Sequence, residues 1–200
     1  SAPSGAVVVI SGSNFSNASA VSFGSDAAAS FSVINASTIQ ATLASGASGS
    51  VSVTTPGGTA SLAGFVYCPV MDTPDVTISS DSGTAICAGT TVVFTAVANN
   101  TGGGTVVYSF KVNGSVVQSG SSDTWTSATL TNGKTVTCSI SISGGLCLST
   151  TTAASNSLVM AVTPQPTWYL DADNDDYYTG SGTTQCYSPG AGYRNSGLLG

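Results

Sequence analysis

The chain has 200 residues and a formal net charge of −6 at pH 7, with nine acidic side chains, three basic ones and no histidine. Three scattered cations are too few to neutralise a run of phosphates, which excludes nucleic acid and an anionic membrane surface as partners. All nine acids are Asp, so the chain contains neither Glu nor His. These are the commonest general acid–base residues, and His is also the commonest zinc ligand, so we expect no enzymatic activity. No apolar run approaches the roughly 18 residues of a membrane span, so we expect no membrane insertion.

The composition predicts an all-β protein. Good helix formers are scarce, while Val, Thr and Ser abound and 24 Gly are spread along the chain. Apolar and polar residues alternate in short runs, for example at residues 21–23, 31–33, 38–43 and 51–54, and turn residues separate these runs. Such a pattern is typical of β-sandwiches, and the length allows one or two domains.

Proline-containing breaks divide the chain into segments. Two prolines fall within residues 68–74 and two more within 163–166, where a central strand cannot continue. We therefore predict a first domain at residues 1–67, a linker at 68–75, a second domain at 76–163 and a tail at 164–200. The chain begins at Ser1 without a signal peptide, and we expect it to be a piece of a longer protein with the tail incomplete.

The first segment carries four motifs in a fixed order. They are Gly-Ser-Asn-Phe at residues 12–15, Val-Ser-Phe-Gly at 21–24, Val-Thr-Thr-Pro-Gly-Gly at 53–58 and Phe-Val-Tyr at 65–67. In order and spacing the segment resembles an IPT/TIG domain, an immunoglobulin-like module. The resemblance implies a β-sandwich with a structural role, in which Phe15, Phe23 and Phe65 belong to the core.

The second segment resembles a different immunoglobulin-like family. A Tyr-Ser-Phe-Lys-Val-Asn-Gly run at residues 108–114 stands among further strand-like runs between residues 76 and 162. This series resembles the PKD-like or Ig-like repeats of large surface proteins in Bacteroidota, with Phe110 where those repeats usually have a core Trp. The two resemblances together imply two tandem immunoglobulin-like sandwiches, which as a rule are not catalytic.

Five cysteines, at positions 68, 87, 138, 147 and 186, form no zinc or redox motif, so we expect disulfides in an oxidising, extracellular setting. Because five is odd, at least one thiol is free or pairs outside this chain. Cys138 faces inward on a predicted strand, and a bridge from it to Cys87 is one alternative. The resemblance to the Ig-like repeats instead implies a Cys87–Cys147 bridge, with Cys138 as a buried free thiol. Cys68 and Cys186 would then bond to each other and hold the tail to the linker.

Four of the nine acids lie at residues 171–176, in the run Asp-Ala-Asp-Asn-Asp-Asp. Asp171, Asp173 and Asp175 have the spacing of positions 1, 3 and 5 of a calcium loop, and the Tyr177 carbonyl falls at position 7. Crowded carboxylates repel one another unless a hard cation lies among them. The sequence therefore predicts a structural Ca²⁺ site, and the alternative is a solvated acidic turn without metal.

The loop departs from an EF-hand at two positions. Asp176 stands where position 6 is usually Gly, and Gly182 stands where position 12 is usually a bidentate Glu, so further ligands must come from elsewhere or from water. The Thr-Trp-Tyr-Leu-Asp-Ala-Asp run at residues 167–173 resembles the Asp-rich segments, akin to thrombospondin type 3 calcium repeats, of Bacteroidota surface proteins. The Cys-Tyr-Ser-Pro-Gly-Ala-Gly-Tyr run at residues 186–193 fits such a segment.

Two further groups of residues are candidates for a site. Trp168, Tyr169 and Tyr178 are the candidate glycan contacts, with packing of the tail as the alternative. The acids outside the tail have the sequence context of turn residues, so we predict no catalytic carboxylate pair among them: Asp26, Asp72, Asp75, Asp81 and Asp123.

These observations predict a non-enzymatic structural or adhesive segment of an extracellular bacterial surface protein, one that assembles into a stalk or filament. Its expected partners are other copies of itself or neighbouring modules of a longer chain. The resemblances imply export to the cell surface by the type IX route of Bacteroidota. The alternative is a carbohydrate-binding accessory region of a secreted hydrolase or glycan-uptake protein, with glycans as the partner.

Overall fold

The computed structural model describes residues 1–178 and 180–196, and all regular secondary structure within them is β-structure. In this part of the chain no helix is long and apolar enough to cross a membrane. The predicted fold class, all-β with two tandem immunoglobulin-like sandwiches, is confirmed.

Seven strands form the first sandwich: β1 (Val7–Ser11), β2 (Ala20–Phe23), β3 (Asp26–Ala27), β4 (Ser30–Asn35), β5 (Thr38–Thr42), β6 (Gly49–Thr55) and β7 (Gly58–Phe65). They pair as two antiparallel sheets, in the orders β1-β5-β4 and β3-β2-β6-β7. β1 and β7 are therefore edge strands, each paired on one side only.

The core of this sandwich follows from the alternation along its strands. On β2, Val21 and Phe23 are buried, because successive side chains of a strand point to opposite faces. Phe15 is also buried, and Phe65 is half-buried with its ring centroid 4.9 Å from that of Phe23. Full burial of one such apolar side chain contributes about 1.5–3 kcal/mol, so these aromatic rings are a main source of the stability of the sandwich.

Ten strands form the second sandwich: β8 (Asp75–Ser80), β9 (Ala85–Cys87), β10 (Val92–Asn99), β11 (Thr105–Val112), β12 (Ser115–Gly120), β13 (Thr124–Ser127), β14 (Thr135–Ser143), β15 (Thr152–Ala154), β16 (Leu158–Val159) and β17 (Ala161–Thr163). One sheet has the order β13-β10-β8, and another has the order β12-β11-β14-β15 with β16 also paired to β14. β9 and β17 pair in parallel.

Aromatic rings pack together in the core of the second sandwich. Phe94 on β10 and Phe110 on β11 are fully buried. The Trp125 ring on β13 lies 5.3 Å from the Phe94 ring and 6.3 Å from the Phe110 ring, between centroids. Phe110 is therefore a core residue, as its place in the repeat pattern implies.

The tail forms a small antiparallel sheet in which β18 (Thr167–Leu170) lies between β19 (Thr183–Thr184) and β20 (Tyr193–Arg194). The Trp168 indole N–H donates a hydrogen bond to the Gln185 carbonyl over 2.9 Å, which holds the β19 end of the sheet. The Gln165 side-chain amide donates to the Ala88 carbonyl over 2.8 Å. The tail thus forms a small ordered sheet. β18 leads directly into the acidic run at residues 171–176, and β20 contains Arg194.

The chain contains two compact units. The first is Ser1–Asp75 together with Ala98–Val106 and Ser141–Ala153, and the second holds the other described residues. The division predicted from the sequence, with boundaries at residues 67, 75 and 163, stays a prediction.

Candidate metal centre and disulfide framework

The acidic loop, residues 171–176, leaves β18 and brings three of the predicted ligands together. One carboxylate oxygen from each of Asp171, Asp173 and Asp175 lies within 4.8 Å of the other two. Asp171 is only 1% exposed, whereas Asp173 and Asp175 are open to solvent. Among residues 1–178 and 180–196, no other group of three or more Asp, Glu, Cys or His side chains meets this spacing.

Hydrogen bonds from backbone amides to carboxylate side chains fold the acidic loop back toward Asp171. The Asp175 amide donates to Asp171 Oδ1 over 3.2 Å, and the Tyr177 amide donates to Asp175 Oδ1 over 2.9 Å. Asp176 has a φ of +63°, the left-handed conformation for which Gly is usual at this position. Asp is among the few other residues that tolerate this conformation, so the missing Gly does not prevent the turn.

Arg194, on β20, belongs to the site although no motif in the sequence identified it. Its Nε lies 3.3 Å from Asp171 Oδ2, and its Nη1 lies 2.6 Å from Asp176 Oδ1. Its Nη2 donates to Asn174 Oδ1 over 3.0 Å. The one available signal was that Arg194 is the single cationic side chain of the tail sequence.

The second carboxylate oxygen of Asp171 is buried and incompletely satisfied. The side chain of Asp171 is 0% exposed, and Oδ2 accepts no hydrogen bond from the described residues. The contact of Oδ2 with the Arg194 guanidinium is therefore an ionic contact, without the geometry of a hydrogen bond. A buried acceptor in this state is destabilising by about 1–3 kcal/mol, unless a further group ligates it. The donor set, three carboxylates with one unsatisfied buried oxygen, fits a hard cation such as Ca²⁺.

The two remaining positions of the predicted loop have different environments. Tyr177 follows the acidic loop with an exposed ring, and its role as a carbonyl ligand stays a prediction. Gly182, at position 12, packs against β18, because a Cβ there would lie 2.3 Å from Thr167 Cγ2 and 2.6 Å from Tyr169 Cε1. No side chain fits at Gly182, so a ligand replacing the usual Glu has to come from another residue or from water.

The candidate glycan contacts are largely engaged within the tail. Trp168, Tyr169 and Tyr178 are all half-buried, and the Tyr169 and Tyr178 ring centroids are 4.0 Å apart. Packing of the tail therefore covers part of each ring, and glycan contact by these three stays a prediction. Tyr187, which the sequence did not single out, is the most exposed aromatic ring of the described tail, at 83%.

Tyr187 lies at a groove of about 600 Å³ in the second compact unit. The groove is lined by backbone and side chains of β9 and β17 and by Thr90, Pro164 and Pro166. The sulfur bridge of Cys186 forms part of its wall. An exposed ring beside proline faces is the kind of surface on which a planar or ring-shaped ligand stacks.

Both predicted disulfides are wrong in their pairing. The structure bonds Cys68 to Cys147, with Cα atoms 5.3 Å apart, and Cys87 to Cys186, with Cα atoms 5.8 Å apart. The predicted bridges were Cys87–Cys147, with Cys87–Cys138 as the alternative, and Cys68–Cys186. Cys138 is a free and buried thiol.

Backbone pairing accounts for the observed bonds. In the linker, the Asp72 amide donates to the Cys147 carbonyl over 2.8 Å, which brings the loop after β14 to the segment that begins at Cys68. β17 pairs in parallel with β9, and Thr163 lies opposite Cys87, so the chain that leaves β17 starts its path to Cys186 beside Cys87. These two pairings involve connections outside the sandwich cores, which an immunoglobulin-like repeat pattern does not specify.

Two acids outside the tail have structural roles at the ends of strands. Asp81, directly after β8, accepts hydrogen bonds from the Val93 amide and the Ser82 hydroxyl, each over 3.0 Å. The Val93 hydrogen bond, and after it the Ser82 hydroxyl, lowers the pKa of Asp81. Asp75 similarly accepts from the Asn99 side-chain amide over 3.0 Å. These carboxylates cap turns and strand ends, which is the role that their sequence context indicates.

Comparison with known proteins identifies the first sandwich. The IPT/TIG domain profile matches residues 1–67, which confirms the resemblance inferred from the four motifs. No curated protein sequence matches the chain. The resemblance of residues 76–162 to PKD-like repeats and that of the tail to thrombospondin type 3 repeats stay predictions, as does an origin in Bacteroidota.

The solved structures that match this chain share little sequence with it. One contains the fibronectin(III)-like modules of CbhA from Clostridium thermocellum, at 12% identity and a TM-score of 0.41, over 80% of this chain and 88% of that one. Another is SGBP-B of the Bacteroides ovatus mixed-linkage glucan utilization locus in complex with a mixed-linkage heptasaccharide, at 14% identity and a TM-score of 0.32, over 83% of this chain and 44% of that one. A three-domain fragment of titin gives 14% identity and a TM-score of 0.41, over 80% of this chain and 61% of that one. The chain thus spans less than two thirds of the latter two structures, and similarities this low carry no argument about function.

Proposed function

We propose that this chain is a non-enzymatic structural or adhesive segment of an extracellular bacterial surface protein, in which tandem β-sandwiches assemble into a stalk or filament. The observation that carries the proposal is that two disulfides fasten a chain built of β-sandwiches and turns. Disulfides persist in oxidising compartments, which supports an extracellular location. Export by the type IX route of Bacteroidota is the finer form of the proposal, and it rests on the family resemblances alone.

The surface best suited to self-association is the uncharged edge of the first sandwich. All residues of β7 except Phe65 are exposed, and Leu62 is 77% exposed. Neither β7 nor β1, an edge strand of the other sheet, carries a charge or a proline, the features that usually block pairing at a sheet edge. A second copy of this chain therefore meets no like charge at these edges, although each copy has a net charge of −6. Strand pairing between copies is the contact that we propose for assembly.

Leu62→Lys tests this assembly. We expect the unaltered chain to form concentration-dependent oligomers in analytical ultracentrifugation and ordered assemblies in electron micrographs, and the variant to stay monomeric because an ammonium group blocks the edge. Val159→Lys is the matched control, since Val159 is exposed on β16 and the charge change is the same. A monomeric unaltered chain at every concentration, or an equal effect of the two variants, contradicts the proposal.

We propose Ca²⁺ as the structural cation of the acidic loop. Asp171, Asp173 and Asp175 would hold the ion through their carboxylates, with the Tyr177 carbonyl and water completing the oxygen ligands. When bound, the ion supplies the positive charge that crowded carboxylates lack and links the loop to the end of β18. The protein contributes a preformed arrangement, because the amide of Asp175 already fixes Asp171 Oδ1.

Titration calorimetry with Ca²⁺ tests this site. We expect measurable binding to the unaltered chain and affinity lower by at least about tenfold for Asp173→Asn, because one carboxylate ligand loses its charge. Asp26→Asn is the control, since it makes the same change on β3 in the first sandwich. Absence of binding heat and of any calcium-dependent change in the unfolding temperature contradicts the proposal.

Carbohydrate binding is the second candidate function, and the exposed ring of Tyr187 at its groove is the observation that favours it. Aromatic rings stack on the apolar faces of sugars, and Pro164 and Pro166 line the same groove as this ring. Affinity electrophoresis against soluble glycans tests it. We expect a retarded band for the unaltered chain that Tyr187→Ala abolishes and Tyr177→Ala, an exposed ring outside the groove, retains. No retardation by any glycan of the panel contradicts this function.

A further inference from the structure

Arg194 and the acidic loop form the one set of ion pairs among the described residues. We propose that Arg194 is an internal counter-cation that competes with Ca²⁺ for the carboxylates of this loop and thereby sets the calcium affinity of the chain. The inference rests on the calcium site proposed above and adds a residue that no calcium-loop pattern contains.

The guanidinium of Arg194 reaches the loop at three points. Its Nε, Nη1 and Nη2 contact Asp171 Oδ2, Asp176 Oδ1 and Asn174 Oδ1 over 3.3, 2.6 and 3.0 Å, respectively. These contacts involve the first, sixth and fourth positions of the loop, so a single side chain neutralises part of the charge that a metal ion would neutralise. The other two cationic side chains of the chain, Lys111 and Lys134, form no ion pair within the described residues.

The neutralisation by Arg194 is incomplete at the buried end of the site. Asp171 Oδ2 is enclosed, and the guanidinium N–H nearest to it does not have the geometry of a hydrogen bond. Ca²⁺ takes six to eight oxygen ligands and would use this oxygen directly. Two cations cannot share one buried carboxylate oxygen without strong mutual repulsion, so the ion and the guanidinium exclude each other at Asp171.

The position of Arg194 in the structure also allows its guanidinium to move away from Asp171 into solvent. The backbone of Arg194 is held in β20 by its pairing with Tyr169 on β18, while 39% of its side chain is exposed. The side chain can therefore rotate toward water while the strand pairing stays intact. Because Asp176, its closest partner, is on the exposed side of the loop, the departing guanidinium can keep this surface contact.

Competition of this kind predicts two effects of Arg194: it raises the stability of the calcium-free tail, and it lowers the calcium affinity. Without calcium, Arg194 stabilises the tail by offsetting the repulsion among the carboxylates. With calcium, the same side chain has to be displaced, so it lowers the apparent affinity. A residue that merely supported the fold of the loop would stabilise both states, and its loss would leave the affinity unchanged or lower it.

Arg194→Gln is the decisive variant, with Ca²⁺ as the probe in titration calorimetry and thermal unfolding. We expect calcium to bind this variant about tenfold more tightly than the unaltered chain, a coupling of ordinary size for two mutually exclusive cations. In chelator, we expect its unfolding temperature to be lower than that of the unaltered chain. Arg194→Lys keeps the charge but not the planar fork, and its affinity should fall between those of the other two proteins.

Lys134→Gln is the matched control, because it makes the same change in net charge away from the acidic loop. Its calcium affinity should equal that of the unaltered chain. Unchanged or weaker calcium binding by Arg194→Gln, with the unaltered chain binding normally, overturns the competition while leaving the calcium site in place. If neither protein binds calcium, the calcium site itself is refuted and the competition with it.

Discussion

Cys138 differs in its environment from the other four cysteines of the chain. It lies in the middle of β14, is 1% exposed, and has buried neighbours on the same face of the strand at Val136 and Ile140. Burial raises the pKa of the Cys138 thiol, and a hydrogen bond from the Ser109 backbone offsets the shift only in part. The thiol is therefore both enclosed and protonated at neutral pH, and both consequences of its burial lower its reactivity.

We predict that iodoacetamide at pH 8 leaves the native chain unmodified and adds one carboxamidomethyl group in denaturant, as measured by intact mass. Because the folded pKa of Cys138 is raised, its stabilising contribution is complete below the pKa of an unfolded thiol, about 8.5, and is lost as the pH rises further. Cys138→Ala should remove this alkaline loss and serves as the control. Rapid labelling of the native chain contradicts the prediction.

Single residues differ in how far the sequence alone could assign them. Cys138 faces inward as predicted, because the period of two along a strand fixes the face of every residue once one is known. Phe23 and Phe110 are buried as the family resemblances imply. Arg194 was not predicted as part of the site, and the packing of Gly182 against β18 was not predicted either. Their roles depend on which strands flank β18, and no local pattern encodes that choice.

At the scale of elements, the bond between Cys87 and Cys186 joins the end of β9 to the segment between β19 and β20. This bond closes a loop with a sequence separation of 99 residues. The closed loop contains β18, β19 and the acidic loop. The bond between Cys68 and Cys147 closes a loop with a sequence separation of 79 residues, and no strand of the tail sheet lies within that loop. The two bonds thus restrict the unfolded chain to a similar extent, but only the bond between Cys87 and Cys186 holds the tail that carries the metal centre.

We predict that replacing both Cys87 and Cys186 by Ser lowers the free energy of unfolding by about 2–4 kcal/mol and also weakens calcium binding, because the frame of the tail sheet loosens. Replacing both Cys68 and Cys147 by Ser should give a similar loss of stability with unchanged calcium affinity. Denaturant titration and calorimetry measure the two effects. Equal weakening of calcium binding by both double variants contradicts the assignment.

Elements with a clear alternation were predictable, and connections were not. β2 and β5 follow from the apolar period of two in their sequences. β7 has little alternation, and its eight residues gain their strand conformation from pairing with β6. The disulfide pairing failed for a related reason, since it depends on the linker near Asp72 and on the parallel pairing of β9 with β17, which are long-range contacts.

At the scale of the whole molecule, the low charge content has a consequence for association. Charged side chains make up 6% of the residues, and all but three of them are acidic, so copies repel one another only through a modest net charge. Dissolved salt screens this repulsion over about 10 Å at 0.1 M, while contacts between uncharged edges are insensitive to it. Composition predicted the all-β class, which is confirmed, while association between copies stays a prediction.

We predict that self-association strengthens when sodium chloride is raised from about 0.02 to 0.5 M, a range over which screening becomes strong. Sedimentation velocity at fixed protein concentration measures the change. The Leu62→Lys protein should remain monomeric at both salt concentrations. Dissociation of the unaltered chain at high salt would show instead that ion pairs hold the copies together.

The two disulfides also determine how the chain responds to tension. A pull on the two ends of a polypeptide follows its shortest covalent path, and the bond between Cys87 and Cys186 removes the intervening 99-residue separation from that path. At about 3.4 Å per extended residue, roughly 340 Å of contour length is withheld from stretching as long as this bond is intact. Under load the second sandwich is therefore shielded from complete extension. Because the loops closed by the two bonds overlap, both sulfur bridges have to be reduced before the chain can extend to its full length.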